Sequence, residues 1–299
     1  MSEDSEADIS RCASCGIAAV DDIELKECDG CDLVKYCSDA CKELHRPEHA
    51  GNCSKRAAEL RDELLFKQPE SSCYGDCPLC MLPLPLDLDK PKCSRMGCCS
   101  KLVCKGCARA NHLRLHEAKL EQRCPFCRKP TPKTEEEGFR QNMNRIKAND
   151  PVALHQQGVA SFLKGDCIRA FRSLTKAAAL GYAEAHYNLA CLYHDGQGVE
   201  KDESKMMYHW EEAAIAGHPD ARYNLGAYEW SNYNNDERAV KHYVIAATQG
   251  HDESIKALMD LFRHGCVSKE ELASALRAHQ AAVEATKSPQ RLAAEEAGW

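Results

Sequence analysis

Residues 183–217 read AEAHYNLACLYHDGQGVEKDESKMMYHWEEAAIAG, and their pattern recurs on both sides. Gly181-Tyr182-Ala183-Glu184-Ala185 returns 36 residues on as Gly217-His218-Pro219-Asp220-Ala221, then 33 further on as Gly250-His251-Asp252-Glu253-Ser254. Tyr187-Asn188-Leu189 returns as Tyr223-Asn224-Leu225, Ala213-Ala214 as Ala246-Ala247, and Leu174, Trp210 and Tyr243 hold one equivalent place. A period of this length with small residues at matched positions marks paired helices: the small side chains let two helices approach, and the bulky one fills the gap between pairs. No such pair buries its apolar face alone, so pairs stack, and three to four of them is about the minimum for stability. Residues 151–286 are therefore expected to form an all-α helix-hairpin solenoid.

The quoted stretch resembles the Sel1-like branch of the tetratricopeptide helical repeats, through Ala183-x-Ala185-x-x-x-Leu189, Gly196-x-Gly198-Val199-x-x-Asp202 and Trp210 before Ala213-Ala214. The flanking units lack the Gly-x-Gly-Val insertion, having Lys164-Gly165-Asp166 and the 231–235 segment there, and are expected to be plainer hairpins. The resemblance implies an adaptor surface for a protein partner, and names none.

Upstream the composition changes. Seventeen of the 20 cysteines lie in the first 127 residues, many as Cys-x-x-Cys pairs: Cys12/Cys15, Cys28/Cys31, Cys77/Cys80, Cys104/Cys107 and Cys124/Cys127. Two thiolates two residues apart can grip one tetrahedral ion from a tight turn, so four Zn²⁺ ions are expected in closed structural sites. The opening MSEDSEAD is acidic and polar rather than charged-then-apolar, and no apolar run approaches the ~20 residues of a membrane helix. A reducing compartment, cytoplasm or nucleus, is the expectation, since thiols there stay reduced and available to metal.

The net charge of −7 argues against bulk nucleic-acid binding, which neutralises phosphates with clustered Lys and Arg. Between Asp87 and Lys133 the balance reverses, with twelve Lys/Arg against four Asp/Glu. A solvated basic surface is the simpler account, with an acidic partner or an RNA backbone as the other.

Residues 1–10 read as a disordered tail. In the linker 54–72, Ala58, Leu60, Leu64 and Leu65 suggest a short helix that Gln68-Pro69-Glu70-Ser71-Ser72 ends. Thr134 with Glu137 reads as a capping box opening a connector helix in 131–150, and Asp150-Pro151 as N-cap and first helical position. Residues 287–299 read as a C-terminal tail.

The order Cys12, Cys15, Cys28, Cys31, Tyr36-Cys37-Ser38, Cys41, His49, Cys53 resembles a MYND finger across 11–53. The family's interleaving implies Cys12, Cys15, Cys37 and Cys41 on one zinc, with Cys28, Cys31, His49 and Cys53 on the other. His49 has the family's eight-residue offset from Cys41 and is preferred to His45, which is expected at the surface. MYND fingers bind proline-containing peptides through a Gln after the sixth ligand and a Trp further along. Here Lys42 and Arg46 stand in those places, leaving open a structural or differently specific module.

Residues 73–130, with CPLC, GCCSKLVCKGC and RCPFCRKP, resemble an all-cysteine RING domain. The RING cross-brace implies Cys77, Cys80, Cys104 and Cys107 on one zinc, and Cys124, Cys127 and Cys99 on the other. Cys98 adjoins Cys99 where the family has a one-residue spacer, and neighbours in an extended chain point opposite ways. Cys98 is taken as the remaining ligand, with Cys93 its competitor. Cys73, Cys167, Cys191 and Cys266 are expected as free core or surface thiols, and His112 and His116 as exposed helix residues. Leu79 and Pro125 stand where RING domains contact a ubiquitin-conjugating enzyme, and Arg128 where active ligases carry the arginine that bridges that enzyme and ubiquitin.

The expected architecture is thus multidomain: two small zinc-stabilised cross-brace modules followed by the solenoid. The resemblances imply a RING-type E3 ubiquitin ligase without a covalent intermediate of its own, or a non-catalytic zinc-binding scaffold. No nucleophile elbow, phosphate loop or HExxH helix appears, which counts against a hydrolase, and no SET domain is recognisable.

Overall fold

A computed structural model describes residues 11–17, 19, 24–86 and 92–299. The expected tail at 1–10 lies outside the described residues. The chain forms two compact units, Met1–Lys67 and Gln68–Trp299.

In the first unit, strands β1 (Lys26–Glu27) and β2 (Lys35–Tyr36) pair antiparallel, with Lys26 opposite Tyr36. Helix α1 (Asp39–Leu65) follows, started by Ser38, whose hydroxyl accepts the Cys41 amide. This helix runs through both the end of the cysteine cluster and most of the linker, and carries Pro47 inside it. Its buried residues and those of the loops before it are Cys12, Cys31, Tyr36, His49 and Leu65, so metal-ligating types make up most of the interior. A segment this size has little apolar surface to bury, and its fold must draw on something else.

The second unit starts with strands β3 (Cys93–Arg95) and β4 (Leu102–Cys104), antiparallel with Cys93 opposite Cys104, and helix α2 (Lys105–Glu117). The connector helix α3 (Glu135–Lys147) is capped by Thr134, which accepts from Glu137. Eight helices then form hairpins: α4 (Pro151–Leu163) with α5 (Cys167–Ala179), α6 (Ala183–Asp195) with α7 (Glu203–Ile215), α8 (Pro219–Tyr233) with α9 (Asp236–Ala247), and α10 (Asp252–Arg263) with α11 (Lys269–Ala285). Each start is chemically marked. Asp150 accepts from Val152 and Ala153 with Pro151 behind it, Asp202 accepts from Lys205, and Ser268 and Glu271 form a full capping box.

Leu174, Trp210 and Tyr243 are all buried; Leu174 clusters with Ala185 and Leu189 of the next hairpin and Tyr243 with Ile255 and Leu258 of the next, in the gap between pairs that the repeat pattern implies. Leu174 and Tyr243 also press on a glycine of the partner helix in their own hairpin. A Cβ on Gly158 would lie 2.7 Å from Leu174 Cγ, and one on Gly226 would lie 2.9 Å from the Tyr243 ring. Gly226→Ala should therefore destabilise the protein: crowding a packed site costs about 1–3 kcal/mol, offset by about 1 kcal/mol of helix propensity. Chemical denaturation followed at 222 nm should show an earlier midpoint with an unchanged slope.

The solenoid holds several uncharged imidazoles. Burial lowers His155 and His218 to about 4 and His242 to about 2. An unfolded chain takes up these protons near pH 6.5 while the fold does not, so stability is complete above about 6.5 and declines with acid until the folded values are reached, by up to about 1.4 kcal/mol per pH unit for each ring. His242→Leu should make the melting temperature less sensitive to acid between pH 7 and 5. An unchanged difference from the parent protein across that range would show that His242 does not contribute.

The cross-brace region does not stand apart from the solenoid. The Cys73 amide donates to Gly217 O at 2.9 Å, and Gly217 has φ +83 with Ser71 O 2.6 Å from where a Cβ would be, so only glycine suits the place. Arg95 reaches Glu184 at 3.7 Å, and Arg145 of α3 donates to Gly97 O at 2.8 Å. A cavity of about 340 Å³ lies between β3 and the starts of α4, α6 and α8, with Tyr74 and Arg95 on one side and His155, Glu184 and His218 on the other. Residues 287–299, read from sequence as a tail, instead contain helix α12 (Pro289–Glu296), started by Ser288 and packed on α2. Ser288-Pro289 is a local helix start, N-cap and first helical position, while the packing partner that holds the segment lies about 180 residues away in α2.

Candidate zinc centres

Among the described residues, four sets of side chains bring their ligand atoms within 4.8 Å of one another: Cys12, Cys15, Cys37 and Cys41; Cys28, Cys31, His49 and Cys53; Cys77, Cys80, Cys104 and Cys107; Cys98, Cys99, Cys124 and Cys127. Three are all-thiol and one has a single imidazole, the donor sets that suit tetrahedral Zn²⁺. Each pair of sets is interleaved along the chain, so each ion ties together segments distant in sequence, with a small apolar cluster around Leu84 and Val103 beside the third set.

One backbone device recurs. Gly16, Met81, Ser100 and Arg128 each directly follow the second cysteine of a pair, and each is left-handed, with φ of 74, 56, 62 and 60. Their amides turn back to Cys12 O, Cys77 O, Met96 O and Cys124 O at 2.8–3.0 Å. The fold of the chain at these knuckles aims both sulfurs at one point. This resolves the adjacent pair: Cys98 and Cys99 lie in a turn, with the Cys99 amide on Met96 O, so the alternation of an extended strand does not apply. Cys98 Sγ approaches Cys127 Sγ at 3.2 Å and Cys99 Sγ approaches Cys124 Sγ at 3.8 Å. Cys93 belongs to β3 and to none of the four sets, and burial pushes its thiol up to about 11.

Helices supply the other ligands. Cys41, His49 and Cys53 all come from α1, and His49 presents Nε2 to Cys31 Sγ at 3.2 Å. Cys104 caps α2 through its sulfur, which accepts the Cys107 amide at 3.4 Å. His45 is not the free surface residue expected from sequence. Its Nδ1 shares a hydrogen bond with Tyr36 Oη at 3.0 Å and its ring stacks on His49, so it supports the ligand.

The thiols show what zinc would relieve. Burial raises the Cys12 thiol, but amide hydrogen bonds from Cys15, Cys37 and Ser14 outweigh it and bring it to about 6. Within the same set Cys15, then Cys41, push Cys37 up to about 12. The same division holds between Cys28, at about 7 because the Gly30 amide and His49 outweigh burial, and Cys53, pushed up to about 11 by burial and Cys28. Crowded thiols share protons unequally, and a divalent cation replaces those protons on every thiol of a set at once.

Around the third and fourth sets several side chains face solvent. Leu79 is 40% exposed, Met81 69% and Phe126 43%, and Arg128 is exposed beside them in sequence, directly after Cys127. Asn111 of α2 donates to Arg123 O at 3.0 Å, holding the helix to the loop before Cys124. Asn111, Arg114, Leu115, Pro125 and Arg128 border a cleft of about 510 Å³. Sequence reading singled out Leu79, Pro125 and Arg128 but not Asn111, whose role depends on where α2 packs. In the first unit Lys42 pairs with Asp29 and Arg46 with Glu43, both at the surface. His112 and His116 stack at 6.3 Å on the exposed side of α2, outside every ligand set.

Comparison with known proteins agrees for two of the three regions. Residues 12–53 match the MYND finger, and residues 153–182, 183–218 and 219–251 match the Sel1 repeat. No curated protein matches the chain. Among solved structures it is similar to a Sel1 repeat protein from Oxalobacter formigenes, with 21% identity over 55% of this chain and 50% of that one, TM-score 0.43. A protective antigen of uropathogenic Escherichia coli with an SLR fold gives 18% identity over 64% and 41%, TM-score 0.40. The chain thus spans about half the length of the first of these proteins and less of the second. The protein is a zinc-finger chain joined to helical repeats of the protein-interaction kind, with four centres suited to zinc. No described helix is long and apolar enough to cross a membrane.

Proposed function

We propose that this chain is a zinc-dependent RING-type E3 ubiquitin ligase of the cytosol or nucleus. The 73–130 cross-brace recruits a conjugating enzyme charged with ubiquitin, and the repeats hold a protein substrate or adaptor. The observation that carries the reading is the exposure of Leu79, Met81 and Phe126 on the two knuckles of a module that buries Leu84 and Val103, together with Arg128 exposed beside them in sequence. Apolar side chains left in solvent around an ordered metal scaffold suit a protein partner. Transfer itself needs no group on the ligase: a lysine amine attacks the thioester carbonyl, the amide forms, and the thiolate leaves on the conjugating enzyme. The Arg128 guanidinium can bond carbonyls of two proteins at once and so hold that thioester in a reactive pose.

A non-catalytic scaffold is the second reading. It is favoured by the cis contact of the cross-brace with α4, α6 and α8, which engages solenoid surface that a substrate would otherwise use. Zinc-loaded protein incubated with ubiquitin, activating enzyme and a panel of conjugating enzymes should build chains that chelation abolishes. Folded, fully loaded protein that builds none across the panel, yet binds partners regardless of Leu79→Ala, would establish the scaffold instead.

A further inference from the structure

The third ligand set has a neighbour from the far end of the chain. Arg291 of α12 is only 7% exposed, and its Nη2 donates to Cys80 Sγ at 3.3 Å, a partner 211 residues earlier. Its remaining hydrogen bonds go to carbonyls: Pro83 O and Thr286 O, both at 2.6 Å, and Leu82 O at 3.1 Å. No carboxylate is among its partners within the described residues. A buried guanidinium requires an opposing charge, and carbonyl dipoles supply none. The missing charge is next to it. Four thiolates around Zn²⁺ carry a net charge of −2, and Cys77, Cys80, Cys104 and Cys107 are buried or half-buried, so that charge in turn needs donors aimed at sulfur.

The contact is built in. Gly106 lies between two ligands of this set, and a Cβ there would stand 2.9 Å from Arg291 N and from Gln290 C and O, so α12 can reach the sulfurs only past a glycine. Gln290 Oε1 accepts from the Cys107 thiol at 3.7 Å, which places the start of α12 directly on this ligand. Lys92 and Glu295 pair at 3.3 Å at the edge of the same contact.

We infer that Arg291 is a positioning residue of the third zinc centre, an outer-shell cation that offsets its thiolate charge and couples metal retention at that one site to docking of the C-terminal helix. This is independent of any transfer activity. Coupling of this kind is reciprocal: the helix strengthens metal binding, and the metal holds the helix.

Two measurements on the full chain test it. Arg291→Met keeps the length and apolar stem of the side chain but removes its donors and charge. Titrated with a competing chelator, the parent protein should hold all its zinc at a concentration where Arg291→Met has released one equivalent, an affinity loss of about 10- to 100-fold at one site. Arg291→Lys should recover part of it, and Lys92→Ala, at the interface edge, none of the loss should reproduce. In the cobalt-substituted protein the sulfur-to-metal charge-transfer band of one site should shift. Zinc retention and cobalt spectra identical to the parent in folded Arg291→Met would overturn the inference. Should the variant fail to fold, hydrogen exchange on the unmodified protein decides: amides of 291–298 should lose protection in step with release of a single equivalent, and protection that outlasts complete metal removal would overturn it.

Discussion

Stripping zinc from the purified chain with a strong chelator at neutral pH should unfold 11–53 and open 73–130 while α4 to α11 stay helical. In the first unit the buried residues include Cys12, Cys31 and His49 themselves, with Tyr36 and Leu65 as the remaining interior, so removal of the ions removes the reason for the fold. Structural zinc sites supply about 10–16 kcal/mol apiece in isolated modules, comparable to the whole stability of an ordinary domain. The repeats, by contrast, bury Leu174, Leu189, Leu225, Tyr243, Leu258 and Leu261 with no ligand among them. Far-UV dichroism should therefore retain most of its helical signal, and limited proteolysis should cut the two zinc modules first and leave a resistant core spanning the hairpins. Cys104→Ser should open the cross-brace alone, because Cys104 is both a ligand and the cap of α2. Loss of all helical signal on chelation would mean that the solenoid depends on metal, contrary to its packing.

The second large effect is on ubiquitin transfer. Arg128→Ala should lower the rate about 10- to 100-fold, the loss of a charge-assisted hydrogen bond worth about 1.5–3 kcal/mol in the reacting complex. The backbone makes a sharper version possible. Arg128 sits at φ 60, where a side chain costs about 1–2 kcal/mol relative to glycine. Arg128→Gly should accordingly match or exceed the parent protein in stability and zinc content while transfer falls as far as in Arg128→Ala. A fall in activity that tracks destabilisation would assign Arg128 to the knuckle alone. Leu79→Ala should weaken the conjugating enzyme's binding with little change in melting temperature, since the side chain already faces solvent.

The ligand sets were legible wherever the spacing itself forms the site. In Cys12-x-x-Cys15 or Cys124-x-x-Cys127 the two sulfurs converge through one tight turn closed by the next amide, so residue type and offset contain the geometry. The same holds for His49 and Cys53, four apart on α1. The choice between Cys93 and Cys98 was not contained there, because it depends on whether 96–100 runs extended or turns, and Ser100 at φ 62 closes that turn. His45 was misread for a related reason: its partner Tyr36 comes from a strand, and the stacking on His49 exists only once zinc ligands are gathered.

What the sequence determined by itself is therefore whatever repeats or closes within a few residues: the knuckles, the caps at Asp150, Asp202 and Ser268, and the alternation of small and bulky residues that pairs the solenoid helices. Tertiary structure decided what joins the parts. Gly217 receiving Cys73, Arg145 holding Gly97, and Arg291 meeting Cys80 across 211 residues are single contacts without period or motif. A local rule is written into every short window because neighbouring backbone dihedrals enforce it, whereas a contact between distant segments is selected only when the packed surfaces meet.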